Sequence, residues 1–187
     1  MRRRASRHRR VLLWIVAILA GLYAALVGVR VLYPIDHVSM LTRWSHAHGV
    51  DPALTAAVIR CESRYRSAAV SPVGAIGLMQ IMPETGAWIA EQLAVPDFAA
   101  ELLYDPEINV RFGTWYLARQ LARFGTVEDA LRAYNAGPAN AERWMADSTG
   151  VFPATAAYVA RVQRNLPIYR VYLSARWLLN ATPSLLF

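Results

Sequence analysis

The chain carries one cysteine, Cys61, among 187 residues. No intrachain disulfide can staple it, so its stability has to come from packing. A lone thiol at helical spacing from apolar neighbours reads as a small buried hydrophobe. To act as a nucleophile it would need a base beside it, and His46 and His48 are the only ones close in sequence. No cysteine or carboxylate clusters with the His46-x-His48 pair to complete a metal site; the pair reads as a polar helix end closed by Gly49. Neither a metal nor a cofactor is expected. Strand alternation, internal repeats and low-complexity segments are also missing. What remains is a succession of helical patterns, and the expected fold class is all-α.

Acid is absent from the first ten residues, where Arg2, Arg3, Arg4, Arg7, Arg9 and Arg10 crowd together. The formal charge of +7 and pI near 10.1 come almost wholly from them. Setting those six aside leaves 14 basic against 13 acidic side chains, a balance of +1. The body therefore lacks the electrostatic footprint of a nucleic-acid binder. Residues 11–29 hold no charge at all, which is long enough to cross a bilayer as a helix. Arginines gather on its N-terminal side against a single Arg30 beyond it, so the positive-inside rule puts the N-terminus in the cytoplasm. The run is longer than the core of a signal peptide and no Ala-x-Ala site follows. The expectation is a cytoplasmic basic segment over 1–10 and an uncleaved transmembrane helix over 11–33, with Tyr33 near an interface and Pro34 ending it. In the C-terminal tail, 174–187, the apolar part from Leu178 to Phe187 is too short for a second span.

Between those ends the helices announce themselves by their starts. Residues 36–48 read as a short helix with Val38, Leu41 and Trp44 on one face. Asp51 is a good N-cap and Pro52 suits a first turn, after which Leu54, Ala57, Val58 and Cys61 recur at helical spacing. Glu62 falls on the edge of that apolar face. A carboxyl held against apolar side chains resists ionising, as a general acid near neutral pH must. The plainer reading is an i,i+4 pair with Arg66 on a solvated helix end. About twenty residues without regular structure follow, punctuated by Ser71, Pro72, Gly74 and Gly77, and a loop that long is usually functional. Further helices start at Pro83, at Asp105-Pro106-Glu107, at Thr126 and at Phe152-Pro153. The one from Asp105 carries Ile108, Phe112, Trp115, Ala118 and Ala122 as a stripe, with Gly113 implying close packing. Pro167 should kink or divide the last.

Several spaced motifs occur in one order: Glu62-Ser63, then Ser71-Pro72-x-Gly74-Ala75-x-Gly77-Leu78-Met79-Gln80-x-Met82-Pro83, then Ala133-Tyr134-Asn135-Ala136-Gly137-Pro138, then Tyr158-Val159-x-x-Val162. Over residues 36–173 the chain resembles the soluble lytic transglycosylases, the goose-lysozyme-like enzymes that cleave peptidoglycan. The resemblance implies a lysozyme-like helical domain at 36–173, set by the preceding helix in the bacterial inner membrane and facing the periplasm. Its partners would be peptidoglycan glycan strands and, through 11–33, the membrane, with no nucleic acid. It implies cleavage of the MurNAc-β-1,4-GlcNAc bond to a 1,6-anhydro product, with Glu62 as sole acid and base, since the loop offers no second carboxylate before Glu84. It places Ser71, Gly77, Met79, Gln80, Met82, Tyr134 and Asn135 against the substrate. Within that set Tyr134 would point its hydroxyl at the acid, and the Met79 backbone would form part of the groove wall. Before Tyr158 the family often has Glu-Thr-Arg; here the sequence reads Ala154-Thr155-Ala156-Ala157. Arg64 and Arg66 should point away from Glu62, because a guanidinium there would lower its pKa. A hydrolytic muramidase and a non-catalytic peptidoglycan-binding scaffold are the alternatives.

Overall fold

The computed structural model describes residues 2–32, 35–147 and 150–180. The chain divides into two compact units, Met1–Asp36 and His37–Phe187. The first is one helix, α1 (Arg2–Leu32). Among the described residues no helix is long and apolar enough to cross a membrane. That overturns the expected span over 11–33, and with it the single-pass inner-membrane placement and periplasmic orientation. The apolar run does not stand as a helix of its own. One helix of 31 residues takes it up together with arginines at both ends, and Gly21, Tyr23 and Gly28 interrupt its aliphatic side chains. The readings of Tyr33, Pro34 and the last seven residues of the tail lie outside the described residues.

The second unit is helical, as expected: α2 (Val38–Ala47), α3 (Pro52–Glu62), α4 (Pro83–Gln92), a 3-10 turn (Ala100–Tyr104), α5 (Pro106–Phe124), α6 (Val127–Ala136), α7 (Pro138–Asp147) and α8 (Pro153–Asn180). Among the described residues the only β pairing is two isolated bridges, Val70 with Ile76 and Ile76 with Ile81, both inside the loop. The helix starts follow local chemistry. Asp51 accepts the Ala53 N–H at 2.8 Å, Asp105 Oδ1 accepts the Ile108 N–H at 2.9 Å, and Thr126 Oγ1 accepts the Asp129 N–H at 3.0 Å. Each satisfies a donor that a helix start leaves unpaired.

Helix α3 is the core element. Ala53 to Ile59 are buried without interruption, a pattern proper to a helix enclosed on every side, and its principal neighbour is α8. Tyr158, Val159, Val162 and Tyr169 supply the buried face of α8. That helix runs through Pro167 to Asn180, so Pro167 does not divide it. Proline has no N–H, so the bond to the carbonyl four residues back is not made at that position. The inward face of α5 also differs from the expected stripe. Of that stripe only Phe112 is buried, and the buried positions are Asn109, Val110, Phe112, Gly113, Thr114, Leu117, Gln120 and Phe124. The face is turned because α5 packs against the long loop, whose backbone needs polar partners as well as apolar cover.

Candidate active site

Because α3 is enclosed along its length, its last residue, Glu62, emerges among protein side chains instead of water. The residue is half-buried, and burial raises its carboxyl pKa to about 7. The Tyr158 hydroxyl and the Arg161 guanidinium, both on α8, favour the ionised form and offset that rise only in part. The Tyr158 hydroxyl is itself buried with no partner at full hydrogen-bond geometry, so an ionised Glu62 is its natural acceptor. Arg64 and Arg66 are exposed and do not contribute to the field at Glu62. Arg66 Nε instead donates to the Ser63 carbonyl at 3.1 Å.

Cys61, next in the chain, is half-buried. Burial pushes its thiol pKa up, and Asn165 Nδ2 donates to its sulfur at 3.3 Å. His48 is engaged elsewhere, stacked on Trp44 with Nδ1 2.9 Å from Thr114 Oγ1. Neither residue is set up for nucleophilic chemistry.

The loop that follows is closed on itself by side chains. Ser63 Oγ donates to the Leu78 carbonyl at 2.8 Å, joining the loop's beginning to its end. Ser71 Oγ accepts the Ala75 N–H at 2.9 Å. Gln80 Nε2 donates to the carbonyls of Gly77 at 2.9 Å and Ala69 at 3.2 Å. Asn109, fully buried on α5, holds two groups of the loop and one of the 3-10 turn: its Oδ1 accepts the Met79 N–H at 2.7 Å, and its Nδ2 donates to the carbonyls of Ile76 at 2.9 Å and Leu103 at 2.8 Å. Gly77 has φ +81, and a Cβ there would lie 2.2 Å from Asn109 Nδ2 and 2.5 Å from the Leu103 carbonyl oxygen; only glycine meets both conditions. At Gly113 a Cβ would lie 2.4 Å from Met79 Sδ, which is the close packing the sequence implied.

The motif residues thus divide. Tyr134, near the end of α6, donates its hydroxyl to the Met79 carbonyl at 2.8 Å and not to the acid. Both Met79 backbone groups have protein partners, the N–H on Asn109 and the carbonyl on Tyr134. Met79 itself is fully buried. Ser71 and Gln80 are half-buried and tied to loop backbone, Met82 is half-buried at the start of α4, and Asn135 is exposed at the end of α6. The aromatic beside the acid is Tyr158. Sequence reasoning placed it in a motif and on a core stripe without assigning it this contact. Asn109 went unremarked, although it lies four residues before Gly113 on the loop-facing side of α5. Burial, with the Glu62 charge adding to it, pushes the Tyr134 and Tyr158 phenols well above their usual range, so both remain protonated donors.

The model of the Transglycosylase SLT domain matches residues 39–151. A soluble lytic murein transglycosylase from Salmonella typhimurium is 35% identical over 126 residues, covering 66% of this chain and 20% of that protein. A membrane-bound lytic murein transglycosylase C from Edwardsiella ictaluri is 31% identical over 131 residues, covering 61% of this chain and 34% of that protein. Among solved structures, the 70 kDa soluble lytic transglycosylase SLT70 from Escherichia coli matches with a TM-score of 0.72 at 30% identity, over 78% of this chain and 26% of that one. The chain spans only a fifth of the length of the Salmonella relative. The family model covers well over half of the present chain, including Glu62, the loop and Tyr134: the chain belongs to the Transglycosylase SLT domain family.

Proposed function

We propose that the chain is a peptidoglycan lytic transglycosylase in which Glu62 is the single general acid and base. The observation that carries this reading is one carboxyl, at the end of an enclosed helix, whose burial raises its pKa to about 7. Family membership and relatives named as lytic murein transglycosylases support it. Glycoside cleavage commonly takes two carboxylates, but one suffices when the substrate supplies its own nucleophile. Glu62 gives its proton to the bridging oxygen as the bond from C1 of N-acetylmuramic acid breaks. The carboxylate then takes the proton of that sugar's C6 hydroxyl, whose oxygen closes on C1. The product is a 1,6-anhydro sugar, no water is consumed, and Glu62 ends as it began.

Tyr158 donates to the carboxylate formed midway and so steadies it. Ser71 keeps a hydroxyl proton with no acceptor among the described residues, available to the sugar's acetamido group. Gln80 and Gly77 shape the loop beside the bond to be cut, Met79 and Tyr134 hold that loop in place, and Met82 and Asn135 face the glycan at its margins. Product mass spectrometry tests the reading. Wild-type protein should release anhydromuropeptides from purified sacculi, and Glu62→Gln should lose at least about a hundredfold in rate, the usual worth of a positioned proton donor. Products one water heavier would identify a hydrolase instead. Undiminished release by Glu62→Gln would remove Glu62 from the chemistry.

A further inference from the structure

Glu62 is the last residue of α3. The final turn of a helix is its least secure part, because its carbonyls have no donors further along the helix. A general acid placed there needs a restraint beyond the helix's own ladder. Ser63 gives a local one: its N–H donates to the Ile59 carbonyl at 3.0 Å.

A deeper restraint comes from the corner that follows. Arg64 and Tyr65 have φ +54 and +64, two successive left-handed residues of which neither is glycine. Residues with a Cβ rarely adopt this backbone, bulky ones least of all, and they keep it only where the surroundings compel it. Arg64 is exposed and Tyr65 is buried, so the compelling contacts are those of Tyr65. Its ring lies 6.3 Å from that of Tyr169 on α8, itself fully buried. Its hydroxyl donates to the Ala56 carbonyl at 3.2 Å, about one turn deeper into α3 than the Ser63 bond reaches. The reversal at 64–65 returns this side chain to the helix that the backbone has just left. Chain and hydrogen bond together close a ring from Ala56 to Tyr65, and Glu62 lies within it. Unwinding the end of α3 would break that bond and lift the Tyr65 ring from Tyr169.

We propose that Tyr65 is a positioning residue for the Glu62 carboxyl. It ties the end of α3 to α8 through its ring and to the helix's own backbone through its hydroxyl, and the strained pair Arg64–Tyr65 is kept because it delivers that tie. The proposal rests on reading Glu62 as the general acid, and it adds that the placement of the acid is set from three residues further along the chain.

The test uses the full chain and its Tyr65→Phe variant, which keeps the ring and loses the hydroxyl. The ionisable groups that interact with the Glu62 carboxyl are Tyr158 and Arg161 on α8, Tyr134 on α6 and Cys61 beside it, and Tyr65→Phe alters none of them. On purified sacculi kcat should fall about tenfold with KM little changed, as expected when a catalytic group is displaced by a fraction of an ångström. An NMR titration of the Glu62 carboxyl carbon, assigned against Glu62→Gln, should give a midpoint about one unit below that of wild type, because a looser carboxyl meets more water. Thr126→Ala removes one capping bond from α6; it should lower thermal stability and leave the Glu62 midpoint where it is. An unmoved midpoint in Tyr65→Phe overturns the proposal, whatever happens to the rate, and so does an equal movement in Thr126→Ala. If wild-type protein releases no anhydro product, the reading of Glu62 as a glycan-cleaving acid fails, while the titration still decides whether Tyr65 places the carboxyl.

Discussion

At the scale of single residues, the position of Glu62 trades stability for chemistry. Its carboxyl ionises near pH 4.5 when exposed and at about 7 in the fold. Between those values the unfolded chain has released a proton that the folded one retains, so stability falls as pH rises from 4.5 and levels off above 7. The shift corresponds to about 3 kcal/mol at neutral pH. Urea denaturation should find Glu62→Gln more stable than wild type by up to that amount at pH 8 and indistinguishable from it near pH 4. Equal stability throughout would mean that the carboxyl is not held protonated. Tyr158→Phe removes a donor to the ionised form, so the Glu62 pKa should rise further. The alkaline limb of the pH–rate profile should then move to higher pH, which a merely structural tyrosine would not cause. Glu62 could be read from the chain because a carboxyl interrupting an apolar periodicity is visible in one dimension. Tyr158 could not be assigned, because 96 positions separate the two and only the packing of α8 on α3 joins them.

At the scale of elements, the loop between α3 and α4 is held by side chains where a strand would be held by its neighbours. Asn109→Ala would strand the Met79 N–H and leave two carbonyls short of donors. Each buried orphan costs about 1–3 kcal/mol, so the expected loss is about 3 kcal/mol or more in chemical denaturation, with activity falling as Met79 shifts. Asn109→Asp preserves the acceptor but not the two donated bonds and should recover only part of this. Helix starts were legible because capping is local: Asp51, Asp105 and Thr126 each bond within three residues of themselves. The buried face of α5 was not legible, since Asn109 and Thr114 face inward for partners that come from elsewhere in the chain. Pro167 does not divide α8 for the opposite reason: its local preference for a break yields to the packing of α8 on both sides, with Val162 and Tyr169 buried before and after it.

At the scale of the whole molecule, helical periodicity without strand alternation gave the all-helical class, and the order of motifs gave the family. Hydropathy along 11–29 failed as a guide to the membrane: among the described residues no helix is long and apolar enough to cross one. Charge was more dependable: a body near neutrality fits a protein whose proposed substrate is a mostly uncharged sugar chain with sparse ionised branches. One consequence of the Asn109 clamp is felt at this scale. The Met79 amide is buried, bonded to a side chain rooted in α5, and followed by a carbonyl held from α6, so no local fraying can bare it. In heavy water its proton should exchange as slowly as those at the centre of α3, on the clock of global unfolding, making an irregular stretch of backbone as durable as any helix in the molecule.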